Sequence, residues 1–212
     1  MPIKGPSIPA DSSPTLKEHI KASERLMLTA YFDPVGVPTI GWGNIKSVTS
    51  ADVRASKTIT RDEAERLFEA DLDEAERGVR DNVLVSLSQN QFDALVDFVF
   101  NCGVGNFKSS TLLTRLNAGL YDEVPIQLMR WTKGRDRKTN KMVELPGLVT
   151  RRKWEVDLWR ARVAAPDLPP VDYKPGTEHQ PTVIPATGEK TSLWGLIAGL
   201  FAAIFSMFGA KK

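Results

Sequence analysis

Apolar side chains recur three and four residues apart in two long stretches of the 212-residue chain. Ala64, Leu67, Phe68, Leu72, Ala75 and Val79 form one stripe, and Phe92, Leu95, Val96 and Val99 form the other, the spacing of an amphipathic helix. A capping-box pattern precedes each: Thr60 with Glu63, and Ser88 with Gln91, pairs whose side chains can satisfy free amides of a first turn. The first stripe predicts a long connecting helix with Asp71, Asp73, Glu74 and Arg77 on its solvated face. The second predicts the buried central helix of a larger lobe. Leu16, Ile20 and Met27 predict an earlier helix that starts near Ser13 or Thr15, with Pro14 suited to its first position and Glu24 in its last turns. Shorter helices are predicted around 109–119, stopped by its glycine, over 124–131, and from 145 to about 163.

Between the first helix and the long one the period changes. Tyr31, Phe32 and Val37 to Ile40 are strand-type residues on either side of Asp33-Pro34-Val35-Gly36, which predicts a β-hairpin, and 45–57 reads as a polar connection. Prolines dominate both ends of the chain. Residues 1–13 read as a flexible lead, 14–165 as one folded domain, and 166–190 as an extended linker with little to bury. In 191–212 the uncharged run 193–210 reads as a hydrophobic helix, roughly 27 Å long at about 1.5 Å per residue. That is enough to cross a thin hydrocarbon layer, with Trp194 and Lys211-Lys212 as interface anchors. Spanning is favoured over lying on the surface, because no charged face is present, and over docking back onto the domain. Gly195 and Gly199 form a G-x-x-x-G pattern suited to tail-mediated self-association of an otherwise monomeric protein.

Composition narrows the function. A net charge of +2 argues against a strong nucleic-acid binder, while a mildly basic protein can still favour an anionic surface. Cys102 is the single cysteine, which excludes an internal disulfide and reads as a small buried hydrophobe. His19 and His179 are far apart, and no ligand-spaced cluster points to a metal or other cofactor. The first residues lack the apolar run of a secretory signal. The basic stretch 133–141 is favoured as a solvated loop. Its functional alternative is a contact for anionic wall polymers.

The candidate chemistry lies in 23–44. Glu24 closes the first helix, Asp33 sits in the hairpin turn, and Thr39 lies on the following strand. Taken singly, Glu24 is a surface carboxylate, Asp33 a turn former before Pro34, and Thr39 an ordinary strand residue. Their joint spacing, with Gly36, Gly41 and Gly43 in place, points elsewhere. A hairpin folded over a helix end can set two carboxyls across a groove, the arrangement that glycoside hydrolysis requires.

This run resembles the phage-type lysozymes, glycoside hydrolase family 24, whose motif reads E-G-x-x-L-x-x-Y-x-D-x-x-G-x-x-T-I-G-x-G-H. Glu24, Leu28, Tyr31, Asp33, Gly36, Thr39, Ile40, Gly41 and Gly43 keep that spacing. Two further stretches resemble the family's Q-x-x-A-L-x-x-F-x-F-N-x-G and P-G-L-x-x-R-R-x-x-E patterns, at Gln91 to Gly103 and Pro146 to Glu155. The resemblance implies an α+β, mainly α fold: a two-lobed lysozyme-like domain with a small β-hairpin lobe and a helical lobe, to which the C-terminal hydrophobic helix is added. It also implies a muramidase that cleaves the β-1,4 bond between N-acetylmuramic acid and N-acetylglucosamine in peptidoglycan with inversion, as a phage endolysin. Glu24 would be the general acid, and Asp33 with Thr39 would activate water. The two carboxyls would be separated by about 6.5 to 9.5 Å. Tyr31, Asn101 and Arg151 are implied as binding or supporting residues. Arg151 would pair with the acid, Arg152 would pair with it or brace the helix through Glu155 or Asp157, and Asn101 would cap a neighbouring helix or line the groove. Such an enzyme would wait in the host cytoplasm or at the inner membrane and act on the periplasmic wall.

Two departures are visible. Arg25 stands where the family has Gly, so its cation must point away from the acid or the acid is weakened. Asn44 replaces a structural His that anchors the hairpin. The competing readings are a non-catalytic wall-binding module on the same fold and a membrane-permeabilising protein acting through its tail.

Overall fold

The computed structural model describes residues 6–33, 36–135 and 141–161. The linker, the hydrophobic tail, Pro34, Val35 and the basic-loop residues 136–140 lie outside the described residues.

Helix α1 (Pro14–Ser23) starts where the sequence suggests. The Ser13 hydroxyl accepts the Leu16 N–H at 3.2 Å, and Pro14 takes a first-turn position where the missing N–H costs nothing. The helix is shorter than its stripe implied. Glu24 is its C-cap on extended backbone, and Met27 opens strand β1 (Met27–Phe32), because Thr29, Tyr31 and Phe32 fit a pleated surface better than a helix. Strand β1 pairs antiparallel with β2 (Pro38–Gly41), bringing Tyr31 opposite Thr39. The polar connection that follows contains a short helix, α2 (Ser50–Arg54), held by a Thr49–Asp52 capping box.

Both long stripes are helices with the expected caps: α3 (Arg61–Arg80) from Thr60, and α4 (Gln89–Cys102) from Ser88. Gly103, at φ +84°, ends α4 and starts α5 (Val104–Lys108), a reversal that a side chain would strain. Helices α6 (Thr111–Asn117) and α7 (Val124–Leu128) follow. Strand β3 (Lys133–Arg135), at the start of the basic stretch, pairs antiparallel with β4 (Met142–Glu144), and α8 (Pro146–Arg160) closes the domain.

Two apolar clusters define two lobes. Phe68 and Leu72 of α3 pack with Phe92, Leu95 and Phe98 of α4, and with Phe107, Leu112, Leu116 and Trp159. Each such fully buried side chain contributes roughly 1.5–3 kcal/mol. The smaller cluster, Ala30, Ile40 and Val48, sits under the β1–β2 hairpin. Leu16 and Ile20 of α1 belong to the larger cluster, so the first helix is part of the helical lobe.

Residues 7–13 are a strap and not the flexible lead expected from their composition. Leu87 N–H donates to the Ser7 carbonyl at 2.9 Å, Ser12 N–H donates to Glu76 at 2.9 Å, and Ser13 N–H donates to Asp93 at 3.1 Å. The extended segment thus satisfies its backbone on side chains and amides of the 76–93 region, which costs no helix or sheet ladder.

The hairpin is anchored without the histidine. Asn44 Nδ2 donates to Asp71 of α3 at 2.8 Å, while its Oδ1 accepts the Ser47 N–H at 2.9 Å. Lys46 adds ion pairs to Asp71, at 3.1 Å, and to Glu74.

Candidate active site

Glu24 leaves α1 at the junction of the two lobes and is only 3% exposed. Its Oε1 accepts from Arg151 Nη1 at 2.7 Å. Arg151 comes from the first turns of α8, and its other face is clamped by Asp97 of α4, with Nε and Nη2 donating at 2.9 and 2.7 Å. A two-pronged clamp fixes the planar guanidinium, so the remaining nitrogen is aimed at Glu24. The Arg25 side chain is exposed, and the guanidinium hydrogen-bonded to Glu24 is that of Arg151.

Burial pushes the Glu24 carboxyl up to about 7, against the opposing pull of Arg151 and with a smaller push from Asp97. For Asp97, burial also favours the neutral form, but the two bonds and the charge of Arg151 outweigh it and hold the carboxyl below its ordinary value. One guanidinium thus serves two carboxyls of unlike acidity.

Asp33 and Thr39, both buried, occupy the hairpin end. Asp33 closes the turn through its own backbone and side chain: its N–H donates to the Val37 carbonyl at 2.9 Å, and its Oδ1 accepts the Val37 N–H at 3.0 Å. Gly36, at φ +89°, permits this tight return, because a left-handed residue is needed there. Thr39 donates to the Val37 carbonyl at 3.0 Å, and its Oγ1 lies 3.5 Å from Asp33 Oδ2. The shorter contact is to the backbone, and the hydroxyl oxygen keeps acceptor capacity beside the carboxylate. Tyr31 feels the charge of both carboxyls. Burial first, then Glu24 and Asp33, push its phenol up to about 12.

Asn101 does not cap a helix. The cap of α5 makes no side-chain hydrogen bond, and Asn101 Oδ1 instead accepts from Arg152 Nη2 at 3.0 Å. Arg152 is fully buried behind Arg151, paired with Glu155, bonded to the Cys102 sulfur at 3.2 Å, and stacked 4.9 Å from the Phe98 ring centroid. Of the two roles open to it, bracing of α8 is the one it fills. His19 stacks face to face on Trp154 at 3.4 Å, and burial keeps its imidazole below its ordinary pKa.

Sequence reasoning missed Asp97 and the depth at which Glu155 is buried. A signal was present for Asp97, a charged residue at a position between Phe92, Val96 and Val99 that the helix turns inward. A charge on an apolar face has to be paired.

Two lobes, one helical and one built on a hairpin, meeting at a buried carboxyl of raised pKa, define the lysozyme class of glycoside hydrolases. The phage lysozyme family model matches residues 21–155, and the chain belongs to that family. A second match, to the LPXTG cell wall anchor motif, covers residues 178–212. The endolysin of Acyrthosiphon pisum secondary endosymbiont phage 1 is 35% identical over 142 residues, 67% of this chain and 92% of that one. The endolysin of Bacillus phage B103 is 38% identical over 145 residues, 66% of this chain but 50% of its own length, so this chain spans about half of that relative. Among solved structures, the muramidase domain of SpmX from Asticaccaulis excentricus superposes with a TM-score of 0.62 at 32% identity, covering 71% of this chain and 97% of that one.

Proposed function

We propose that this phage-lysozyme family enzyme is a muramidase of host lysis in which Glu24 is the general acid and Asp33, with Thr39, prepares the water. The observation that carries this is the state of Glu24. A carboxyl with a pKa of about 7 keeps much of its proton at neutral pH, as an acid catalyst must. Oε1 accepts from Arg151, so the proton resides on Oε2, from which it passes to the glycosidic oxygen as the bond to the anomeric carbon breaks. Water held by Thr39 Oγ1 and the Asp33 carboxylate attacks that carbon from the opposite face and loses its proton to Asp33, giving inversion. Tyr31 flanks both carboxyls, and Arg151 fixes the acid. On the helical lobe, Asn106, Gln127, Arg130, Trp131, Lys133 and Met142 line a cavity of about 420 Å³, a surface suited to part of a peptidoglycan strand.

The test is purified Glu24→Gln on isolated cell walls. Loss of clearing with an unchanged fold supports the assignment, and clearing near the wild-type rate overturns it. It also separates the enzyme from a binding module, because a binding module does not need the acid.

The division at Pro166 and the membrane segment 193–210 belong to the same proposal. The match to a wall-anchor motif over 178–212 supports a tail that brings the enzyme to the cell envelope. We place the protein in the cytoplasm or at the inner membrane before lysis. Among the described residues no helix is long and apolar enough to cross a membrane, and 193–210 lies outside them. Fractionating cells that express the full chain or a chain ending at Pro166 tests this. If both remain in the soluble fraction, the membrane proposal fails.

A further inference from the structure

We propose that Glu155 is a positioning residue for the acid: a carboxylic acid kept neutral, whose hydroxyl donates to Asp97 and so holds Asp97 in its clamp on Arg151. The proposal rests on Glu24 being the general acid.

The geometry carries it. Glu155 is fully buried one turn beyond Arg151 and Arg152 on α8. Its Oε1 accepts from Arg152, while its Oε2 has no donor, and the carboxyl of Asp97 lies beside it, close enough to share a hydrogen bond. Each carboxyl has a guanidinium beside it, but two carboxyl oxygens can share a hydrogen bond only through a proton, so one of the pair retains it. Asp97 already accepts two N–H groups from Arg151 and is the better anion. The proton therefore belongs on Glu155, on the oxygen that Arg152 leaves open. The acidities run the same way: burial raises the Glu155 carboxyl well above its ordinary value, only partly offset by Arg152, while Asp97 lies below its own.

The groups facing this pair complete the charge count. Helix α8 contributes Arg151 and Arg152, α4 contributes Asp97, Asn101 and Cys102, and α1 contributes His19 and, at its end, Glu24. Burial keeps the imidazole and the thiol neutral at pH 7. With Glu155 also neutral, the cluster holds two guanidiniums against Asp97 alone while Glu24 is protonated, and one positive charge is in excess. When Glu24 gives its proton to the leaving oxygen, the cluster becomes neutral. An ionised Glu155 would reverse this, leaving a negative excess after proton transfer and holding the proton back. The neutral state of Glu155 thus favours the step that the acid performs.

The test compares Glu155→Leu, which removes the donor to Asp97, with Glu155→Gln, whose amide can restore it. Without the donor, Asp97 draws Arg151 away from Glu24. The alkaline limb of the pH–activity profile should then move up by about one pH unit and kcat should fall about tenfold, and Gln should restore both. A limb that shifts equally in Gln and Leu would show an ionised Glu155 and overturn the proposal. So would a limb that stays in place in both variants, whatever their melting temperatures. A second measurement needs no activity and no foldable Leu variant: infrared difference spectra at pH 8 between Glu24→Gln and the Glu24→Gln/Glu155→Gln double variant. A protonated-carboxyl C=O band assigned to Glu155 supports the proposal, and its absence overturns it even if Glu24 proves to be the acid.

Discussion

Glu24 and Arg151 are 127 positions apart and meet at 2.7 Å, the acid at the end of the first helix and the cation near the start of the last. Because Arg151 is held by Asp97 on its other edge, it lowers the pKa of the acid without quenching it, and burial still wins. The alkaline limb of activity should accordingly lie near pH 7, set by Glu24. A pH–kcat profile on a soluble glycan checks this.

The same burial has a cost in stability, with a defined sign. Glu24 binds its proton more tightly folded than unfolded, so its contribution is fully present below the unfolded value, near 4.5, and is lost as pH rises towards about 7. Glu24→Gln, a neutral mimic that still accepts from Arg151, should melt like wild type at pH 4. It should be more stable by an amount that grows to a plateau above pH 7, on the order of 3 kcal/mol. Paired melting curves across that range test it, and a constant difference would exclude Glu24 as the cause.

Arg151→Lys should fold and be nearly inactive. An ammonium cannot make the clamp on Asp97 and reach Glu24 at once, so one buried carboxyl loses a charged partner, a loss of about 3 kcal/mol or more. Denaturant unfolding and a wall-clearing assay measure the two effects.

On the hairpin, Thr39→Val keeps the shape and removes the oxygen beside Asp33. It should lower kcat by about one to two orders of magnitude with little change in KM, and Asp33→Asn should be more damaging. Steady-state kinetics separate these from a binding defect.

Asn44 makes the hairpin anchor independent of mid-range pH, since an amide does not titrate. Asn44→His should keep the bond to Asp71 and make stability pH-dependent. An imidazole whose pKa is raised by that carboxylate adds stability at low pH and loses it as pH rises through the raised value. Melting at pH 5 and pH 8 tests this.

The parts of this design that were legible in the sequence are local. Glu24, Asp33 and Thr39 fall within sixteen residues, in a motif whose glycines encode its turns, and the caps at Thr60 and Ser88 sit one position before their helices. Arg151 could be singled out because its signature is contiguous. The choice between the two roles open to Asn101 was not legible, because its partner, Arg152, is 51 positions away. The strap was invisible for the same reason: its prolines argue against regular structure, and the groups that hold it, Glu76 and Asp93, belong to other helices. Helices α2 and α5 are five residues each, too short for a periodic pattern to register.

The chain enters the helical lobe first, through the strap and α1, leaves it at Glu24, builds the hairpin lobe, and returns along α3. The small lobe is therefore, topologically, an insertion between two pieces of the large one. Its few apolar side chains make it the region to open first in hydrogen exchange. Such an opening would carry away Asp33 and Thr39 and leave Glu24 seated on Arg151, so the enzyme can be silenced reversibly with the proposed acid still in place. Catalytic output under mild heat or denaturant should then follow the opening equilibrium of the hairpin and decline before the domain as a whole unfolds.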